Sequence, residues 1–236
     1  VFIDLRAGTH SYNGHKKPYI TDSNQMTISH GSSIENVYSG SGDDWIIGNS
    51  LDNFISTNAG NDKIYLGEGR DVVISGAGSD LIDLSELEQQ VDTIVVEYSD
   101  SKNDVDTVYG FRQGVDGDCI DLDAITNGPV DLLPLILLDA VPIGFLENHI
   151  LRISGDGLTS SEELERHFSQ EGSLVNLNLP IGKPTIVLSS ESNETGFKQC
   201  LFTVEKFEDE ILATKLMVFD GNYLDIDLWA PENFIS

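Results

Sequence analysis

The sequence predicts an all-β protein in which a parallel β-roll is followed by a mostly antiparallel β region with one or two short helices. Three observations support this prediction. Residues 39–83 follow a gapless nine-residue period rich in glycine and aspartate, and every period carries an aliphatic residue at the same position. Beyond residue 126, alternating apolar runs are separated by Pro and Gly. We therefore divide the chain into residues 1–126 and residues 127–236.

The period comprises five consecutive units, SGSGDDWII, GNSLDNFIS, TNAGNDKIY, LGEGRDVVI and SGAGSDLID. Position six of these units holds Asp44, Asn53, Asp62, Asp71 and Asp80. Position eight holds Ile46, Ile55, Ile64, Val73 and Ile82. Just upstream, HGSSIENVY keeps the register loosely, with Glu35 at position six and Val37 at position eight, and we interpret it as a capping turn.

Each unit is interpreted as a turn of six residues followed by a strand of three. Glycines in the turn adopt backbone conformations closed to other residues. In the strand, the position-eight side chain points inward and its neighbours outward, so that stacked turns build one narrow aliphatic column. Two units form one coil of 18 residues, because a single unit cannot bury its apolar face. The position-six residues then form two columns, Asp44, Asp62 and Asp80 on one side and Glu35, Asn53 and Asp71 on the other.

The stacked carboxylates require a counter-charge. Carboxylates at roughly the 4.8 Å spacing of neighbouring strands repel one another strongly unless a cation lies between successive turns. Ligands that are all oxygen select Ca²⁺ over zinc or copper, and the sequence has no clustered His or Cys. The alternative, an acidic glycine-rich linker that stays solvated, gives no reason for an aliphatic residue at every ninth position.

Composition excludes several classes of partner. The net charge of −27 repels phosphate backbones and anionic lipid head groups, so we expect neither nucleic acid nor a membrane surface as partner. The most apolar run, residues 130–145, is interrupted by Asp and Pro and is interpreted as core, so no membrane span is expected. Cys119 and Cys200 are expected to be free or buried thiols. No signal-peptide pattern opens the chain, which is either a fragment or exported without an N-terminal signal.

The nonapeptides resemble the RTX pattern G-G-x-G-x-D-x-U-x of calcium-binding repeats. IDLRAGTHSYNG and MTISHGSSIEN resemble the lead-in to the β-roll of serralysin-type metalloproteases, and DTVYGFRQGVDGDCIDLD, residues 106–123, resembles the closing segment of that family. The resemblance covers about residues 1–123. It implies the calcium-binding C-terminal part of a larger secreted bacterial protein, a toxin or a protease, that is exported by type I secretion.

In the RTX family, the carbonyls at positions two and four and the side chain at position six bind Ca²⁺. Carried over to this chain, the resemblance implies several calcium ions held by Ser33, Glu35, Gly40, Gly42, Asp44, Asn49, Leu51, Asn53, Asn58, Gly60, Asp62, Gly67, Gly69, Asp71, Gly76, Gly78, Asp80, Asp100 and Asp106. The chain departs from the pattern at Leu51, which replaces a glycine, and at Asn53, which brings no charge. Weaker calcium binding is therefore expected on the side of Asn53.

No catalytic motif is present in the sequence. The zinc-protease motif H-E-x-x-H is absent, the five histidines lack metal-ligand spacing, and neither G-x-S-x-G nor a phosphate-binding glycine loop occurs. We therefore predict no catalytic residues and no enzymatic activity in this chain.

The second half is predicted to contain antiparallel strands at PTIVLSS, QCLFTVEKF, ATKLMVFDG and YLDIDLW, and a helix near residues 160–170 capped by Thr159 or Ser160. His167 and Phe168 are expected to face the core. Trp229 is expected to be exposed and available to a partner, and the final ENFIS to be either a secretion-type ending or a frayed chain end.

Two functions are compatible with these features. The chain is either a module for calcium-triggered folding and export, with a type I exporter as partner, or the receptor-binding or surface-binding end of a large toxin or adhesin. In the second case, residues 127–236 recognise a host-cell receptor or glycan, and the β-roll is a calcium-dependent stalk. An enzymatic role requires catalysis upstream of Val1.

Overall fold

The computed structural model describes residues 1–19, 21–97, 104–126, 131–132, 136–137, 144–145, 149–154, 158, 160–169, 177–179, 181, 183–193, 196–207, 210–221 and 229–235. The first half contains twelve short strands: β1 (Phe2–Asp4), β2 (His10–Tyr12), β3 (Gln25–Thr27), β4 (Asn36–Tyr38), β5 (Trp45–Ile47), β6 (Phe54–Ser56), β7 (Lys63–Tyr65), β8 (Val72–Ile74), β9 (Leu81–Asp83), β10 (Thr93–Val95), β11 (Asp106–Tyr109) and β12 (Cys119–Asp121).

Strands of the roll alternate between two parallel sheets. One sheet runs β1-β5-β7-β9-β11 and the other β4-β6-β8-β10-β12. Within the repeats, each strand pairs with the strand two units further along, so that Ile46 lies opposite Ile64 and Ile64 opposite Ile82. This pairing confirms the predicted coil of two nonapeptides. The lead-in strands β2 and β3 extend the first sheet in antiparallel fashion beyond β1.

The core of the roll is one buried aliphatic cluster supplied by both sheets, where the sequence predicted a narrow aliphatic column. Each sheet contributes its own inward row, Ile46, Ile64, Ile82 and Val108 from one and Val37, Ile55, Val73, Ile94 and Ile120 from the other. Leu66 and Leu84, which directly follow strands, are buried in the same cluster. The position-eight residues are buried in every repeat strand, as predicted.

The second half adds β13 (Asp131–Leu132), β14 (Ile136–Leu137), β15 (Gly144–Phe145), β16 (His149–Ser154), α1 (Ser161–Phe168), β17 (Leu177–Asn178), β18 (Thr185–Asn193), β19 (Gly196–Lys206), β20 (Ile211–Gly221), a 3-10 helix (Pro231–Asn233) and β21 (Phe234–Ile235). Strands β18, β19 and β20 form the predicted antiparallel meander. The predicted strand YLDIDLW lies outside the described residues except for Trp229.

The first sheet continues without interruption from the roll into the second half. Strand β20 pairs in parallel with β11, and Val108 lies opposite Phe219. One buried apolar cluster contains residues from both halves, among them Ile82 and Leu216. The two halves therefore share a sheet and part of a core.

The single described α-helix, α1, confirms the sequence prediction for this segment. Its N-cap is Ser160, whose hydroxyl accepts a hydrogen bond from the backbone N–H of Glu163 at 3.2 Å. Phe168 is buried, as expected, whereas His167 is only partly covered. No helix among the described residues is long and apolar enough to cross a membrane.

Trp229 is buried at 3% exposure, which corrects the expectation that it is exposed. Its ring stacks between Phe111 and Phe234, with centroids 5.0 Å and 5.1 Å away, and meets the edge of Phe219. Phe234 belongs to β21, which pairs with β12 at the end of the second sheet, so the described part of the final segment is not frayed. Neither Cys119 nor Cys200 forms a disulfide bond, and Cys200 is buried, as predicted.

Candidate metal centre

The turns of the roll bring backbone carbonyls of successive coils close together, and this approach requires glycine. A Cβ atom on Gly78 would lie 2.0 Å from the carbonyl oxygen of Gly60, and one on Gly76 would lie 1.8 Å from that of Asn58. Both glycines also have positive φ, a region that side chains disfavour. The carbonyl oxygens of Asn58 and Gly60, at positions two and four, therefore lie directly against the backbone of the corresponding turn in the next coil.

The position-six aspartates of the first column form a hydrogen-bonded ladder. One carboxylate oxygen of Asp62 accepts the backbone N–H of Asp44 at 2.8 Å, and Asp80 accepts that of Asp62 at 2.8 Å. Asp106 accepts the N–H of Asp80 at 3.0 Å, so this residue of the closing segment continues the column. The second carboxylate oxygens of Asp44, Asp62 and Asp80 are buried and have no hydrogen-bond partner.

The second column continues further than the sequence predicts. Asp71 accepts the N–H of Asn53 at 2.7 Å, Asp92 accepts that of Asp71 at 2.9 Å, and Asp118 accepts that of Asp92 at 3.1 Å. Asp92 and Asp118 were missed by sequence reasoning, although DTI and DCI keep the spacing between position six and position eight. The second oxygens of Asp71 and Asp92 are buried and unpartnered.

The predicted ligands at the two ends of the roll are exposed or hydrogen-bonded, unlike the buried and unpartnered carboxylate oxygens in its middle. Near the capping turn, the side-chain amide of Asn49 donates to the carbonyl of Ile34 at 2.7 Å, while Ser33 and Glu35 are exposed. At the far end of the first column, the second oxygen of Asp106 accepts the hydroxyl of Ser75 at 3.1 Å. Asp100 lies outside the described residues.

Burial changes the protonation of six carboxylates of the columns, those of Asp62, Asp71, Asp80, Asp92, Asp106 and Asp118. Loss of hydration is the main cause that raises their pKa values, because it penalises the charged form, and neighbouring carboxylates add to it. The pKa of Asp62 is raised, and the pKa is raised to about 6 for Asp80 and Asp118, to about 7 for Asp71 and Asp106, and to about 8 for Asp92. A bound cation would remove this penalty by favouring the ionised carboxylates.

The available atoms fit calcium. The unpartnered carboxylate oxygens are hard ligands, and the carbonyl oxygens of Gly42, Leu51 and Gly60 accept none of the hydrogen bonds found among the described residues. Calcium takes about six to eight oxygen ligands and tolerates irregular geometry. Within the described part of the chain, no three acidic, His or Cys side chains gather at one point. An ion between two coils would therefore take backbone carbonyls together with paired carboxylates.

Comparison with a protein-family model also indicates calcium-binding repeats in this part of the chain. The family model of the RTX calcium-binding nonapeptide repeat (4 copies) matches residues 31–50 and 47–82. Among solved structures, the chain is similar to the AlgE6R3 subunit of the mannuronan C5-epimerase from Azotobacter vinelandii, with a TM-score of 0.45, 15% identity and coverage of 83% of this chain and 78% of that chain. No curated protein matches the chain. Residues 31–82 are RTX calcium-binding repeats, and the chain contains an RTX β-roll.

Proposed function

We propose that this chain is the non-catalytic calcium-binding module of a larger secreted bacterial protein, a toxin or a protease, and that calcium triggers its folding after type I secretion. The observation that carries the proposal is the set of buried, unpartnered carboxylate oxygens in two stacked columns. An unpaired buried carboxylate destabilises a fold strongly, so these columns favour the folded roll only when a cation is present.

The proposed coupling between calcium and folding follows from where the ligands lie. The carboxylates and carbonyls of one ion come from successive coils, so the unfolded chain has no preformed site, and binding and folding occur together. Extracellular calcium modules typically have dissociation constants of about 10⁻⁴ to 10⁻³ M. The chain would therefore stay unfolded where calcium is scarce, pass an exporter in extended form, and fold outside the cell.

Export and folding can be tested in one system. Cells carrying a type I exporter should release the full chain into a medium with chelator as an unfolded polypeptide, and millimolar calcium should then restore its β-structure, as measured by circular dichroism. Release of the chain without the exporter contradicts the export part of the proposal. A folded spectrum in chelator contradicts the folding part.

A row of aromatic side chains favours a second candidate function, recognition of a neutral glycan. Tyr12, Phe2, Trp45 and Tyr65 follow one another across β2, β1, β5 and β7, with ring centroids 5.0, 5.6 and 6.2 Å apart. Trp45 is 45% exposed. Aromatic faces provide rigid apolar area for contact, and this row lies on the roll and not in the second half.

Glycan recognition predicts that Trp45→Ala abolishes retention of the calcium-loaded chain on a neutral polysaccharide, measured by affinity electrophoresis. Tyr38→Ala on the other sheet is the control and should be retained like the unmodified chain, because Tyr38 is exposed but lies outside the row. Equal retention of the Trp45 variant and the unmodified chain excludes the row as the binding surface.

A further inference from the structure

We propose that a polar cleft at the end of the aromatic row binds the hydroxyl groups of a neutral sugar, and that the carboxylate of Asp83 accepts hydrogen bonds from them. The inference rests on the second candidate function proposed above, glycan recognition. It adds the polar groups that would select one sugar over another, which apolar contact with aromatic rings alone does not do.

The cleft begins at Tyr65, the last ring of the aromatic row. Its volume is about 460 Å³, and residues of the turns after β1, β5, β7 and β9 line it together with Ile47, Tyr65 and Asp83. These three residues lie opposite one another on successive strands of the first sheet. Each follows an inward position-eight residue, so their side chains share the outer face with Trp45. Small-molecule sites typically measure about 300 to 1,000 Å³, so the cleft has room for a sugar.

One oxygen of the Asp83 carboxylate fixes the local turn, and the other is available to a ligand. Oδ1 accepts the backbone N–H of Ser85 at 2.9 Å, which orients the carboxylate. Oδ2 accepts no hydrogen bond from the described residues, and the side chain is partly exposed. Hydrogen bonds to a carboxylate are roughly twice as strong as those between neutral groups. Asp83 therefore provides an oriented acceptor for hydroxyl groups.

Arg6 supplies a donor to the same cleft. Its Nε and Nη2 donate to the carboxylate of Asp4 at 2.9 Å and 2.6 Å, and Asp4 is 4% exposed, so the guanidinium is anchored to the fold. The third nitrogen, Nη1, donates to none of the described residues. A sugar hydroxyl both donates and accepts hydrogen bonds, so a cleft that offers an acceptor on Asp83 and a donor on Arg6 suits it.

The charge around the cleft favours a neutral sugar over an acidic one. Asp83 and Glu68 line the cleft, and the positive charge of Arg6 is balanced by Asp4. Both carboxylate oxygens of Glu68 already accept backbone N–H groups of the turn after β9, each at 3.0 Å, so Asp83 has the more available carboxylate. The net charge of −27 also repels acidic glycans.

The test is affinity electrophoresis of the full, calcium-loaded chain in gels that contain a soluble β-glucan, a mannan or a galactan. We expect at least one of them to slow the unmodified chain, and Asp83→Asn to weaken that binding about tenfold or more. Asparagine can still accept the N–H of Ser85 but brings no carboxylate. Asp121→Asn is the matched control, because Asp121 accepts the N–H of Asp123 at 2.9 Å in the same way but lies on the second sheet. The inference is overturned if Asp83→Asn and the unmodified chain are slowed equally.

A second measurement needs no variant. The O-methylated form of the retained polysaccharide keeps its apolar faces but has no hydroxyl to donate, so it should bind the unmodified chain about tenfold more weakly or less. Equal binding of the methylated and unmethylated forms overturns the inference.

The outcomes separate this inference from the function on which it rests. If no neutral polysaccharide slows the unmodified chain, glycan recognition fails as well. If Trp45→Ala loses binding while Asp83→Asn keeps it, only the present inference fails.

Discussion

The roll and the meander β18–β20 belong to one sheet, but they bury different side chains. A repeat strand such as β7 has three residues, of which only Ile64 is fully buried, and the turn before it buries Asp62. Strand β19 has eleven residues and buries Cys200, Leu201 and Phe202 in succession, so both of its faces are covered. The roll therefore buries carboxylates that the proposed calcium ions would neutralise, whereas the meander is stabilised by apolar burial and a long antiparallel ladder.

Removal of calcium should break this comparison most visibly. We expect a chelator to convert residues 30–125 to a disordered chain, because the aspartate columns lose their counter-charge. Amide hydrogen exchange should show complete loss of protection at Ile46 and Ile64, and residual protection at Leu201 and Phe202. Magnesium should not restore the roll, because it requires tighter octahedral geometry. Unchanged protection of Ile64 in chelator contradicts the prediction.

Replacement of Trp229 should produce the next largest effect, although it removes no carboxylate from the two columns. Trp229→Ala removes a ring stacked on Phe111 and Phe234 and a hydrogen bond of 2.7 Å to Gln199. We expect a loss of about 3–5 kcal/mol in the free energy of unfolding, measured by urea denaturation in saturating calcium. Phe207→Ala is the control, because Phe207 is exposed. If additional calcium fully restored the stability of Trp229→Ala, calcium binding and the packing of Trp229 would not be separate sources of stability.

Ile64→Ala should sharpen the comparison within the roll. It removes no calcium ligand, yet it should raise the calcium concentration needed for folding. Ile64 lies between Ile46 and Ile82 in its sheet, and its truncation should destabilise the roll by about 2–5 kcal/mol and raise the calcium midpoint of folding. Lys63→Ala should stay within about 1 kcal/mol, since Lys63 is exposed and lies only over the Trp45 ring. Equal shifts of the calcium midpoint for both variants contradict the inward assignment of position eight.

The difference between the periodic roll and the rest of the chain explains which features the sequence could predict. The pairing of Ile46 with Ile64 was predictable, because a strict period fixes which residues repeat along the roll. Asp92 and Asp118 were missed because their coils are longer than two nonapeptides, with 21 and 26 residues between successive column members. The period ends at Asp83, and only the local order of an Asp two residues before an Ile survives.

In the second half, the strands were predictable from alternation, but their partners were not. The pairing of Val108 with Phe219 joins segments that are distant in sequence, and no local pattern specifies it. The burial of Trp229 has the same cause, since Phe111 and Phe219 reach it from different elements. The expected exposure of Trp229 was wrong because its burial comes from tertiary packing, which the local sequence does not show.

A change of pH should alter the stability of the calcium-free roll least among these predictions. A proton neutralises one carboxylate, whereas a calcium ion would also bind ligands from successive turns together. Folding raises the pKa of Asp71 and Asp106 to about 7 and that of Asp92 to about 8, mainly through burial. The folded roll therefore binds these protons more tightly than the unfolded chain, and their contribution to stability is lost as the pH rises through this range. We expect circular dichroism in chelator to show partial β-structure at about pH 5 and less at about pH 8. Asp92→Asn, which removes the group with the highest of these pKa values, should move the transition to lower pH. A calcium-free spectrum that is independent of pH, or more structured at the higher pH, would show that the buried carboxylates do not control folding of the roll.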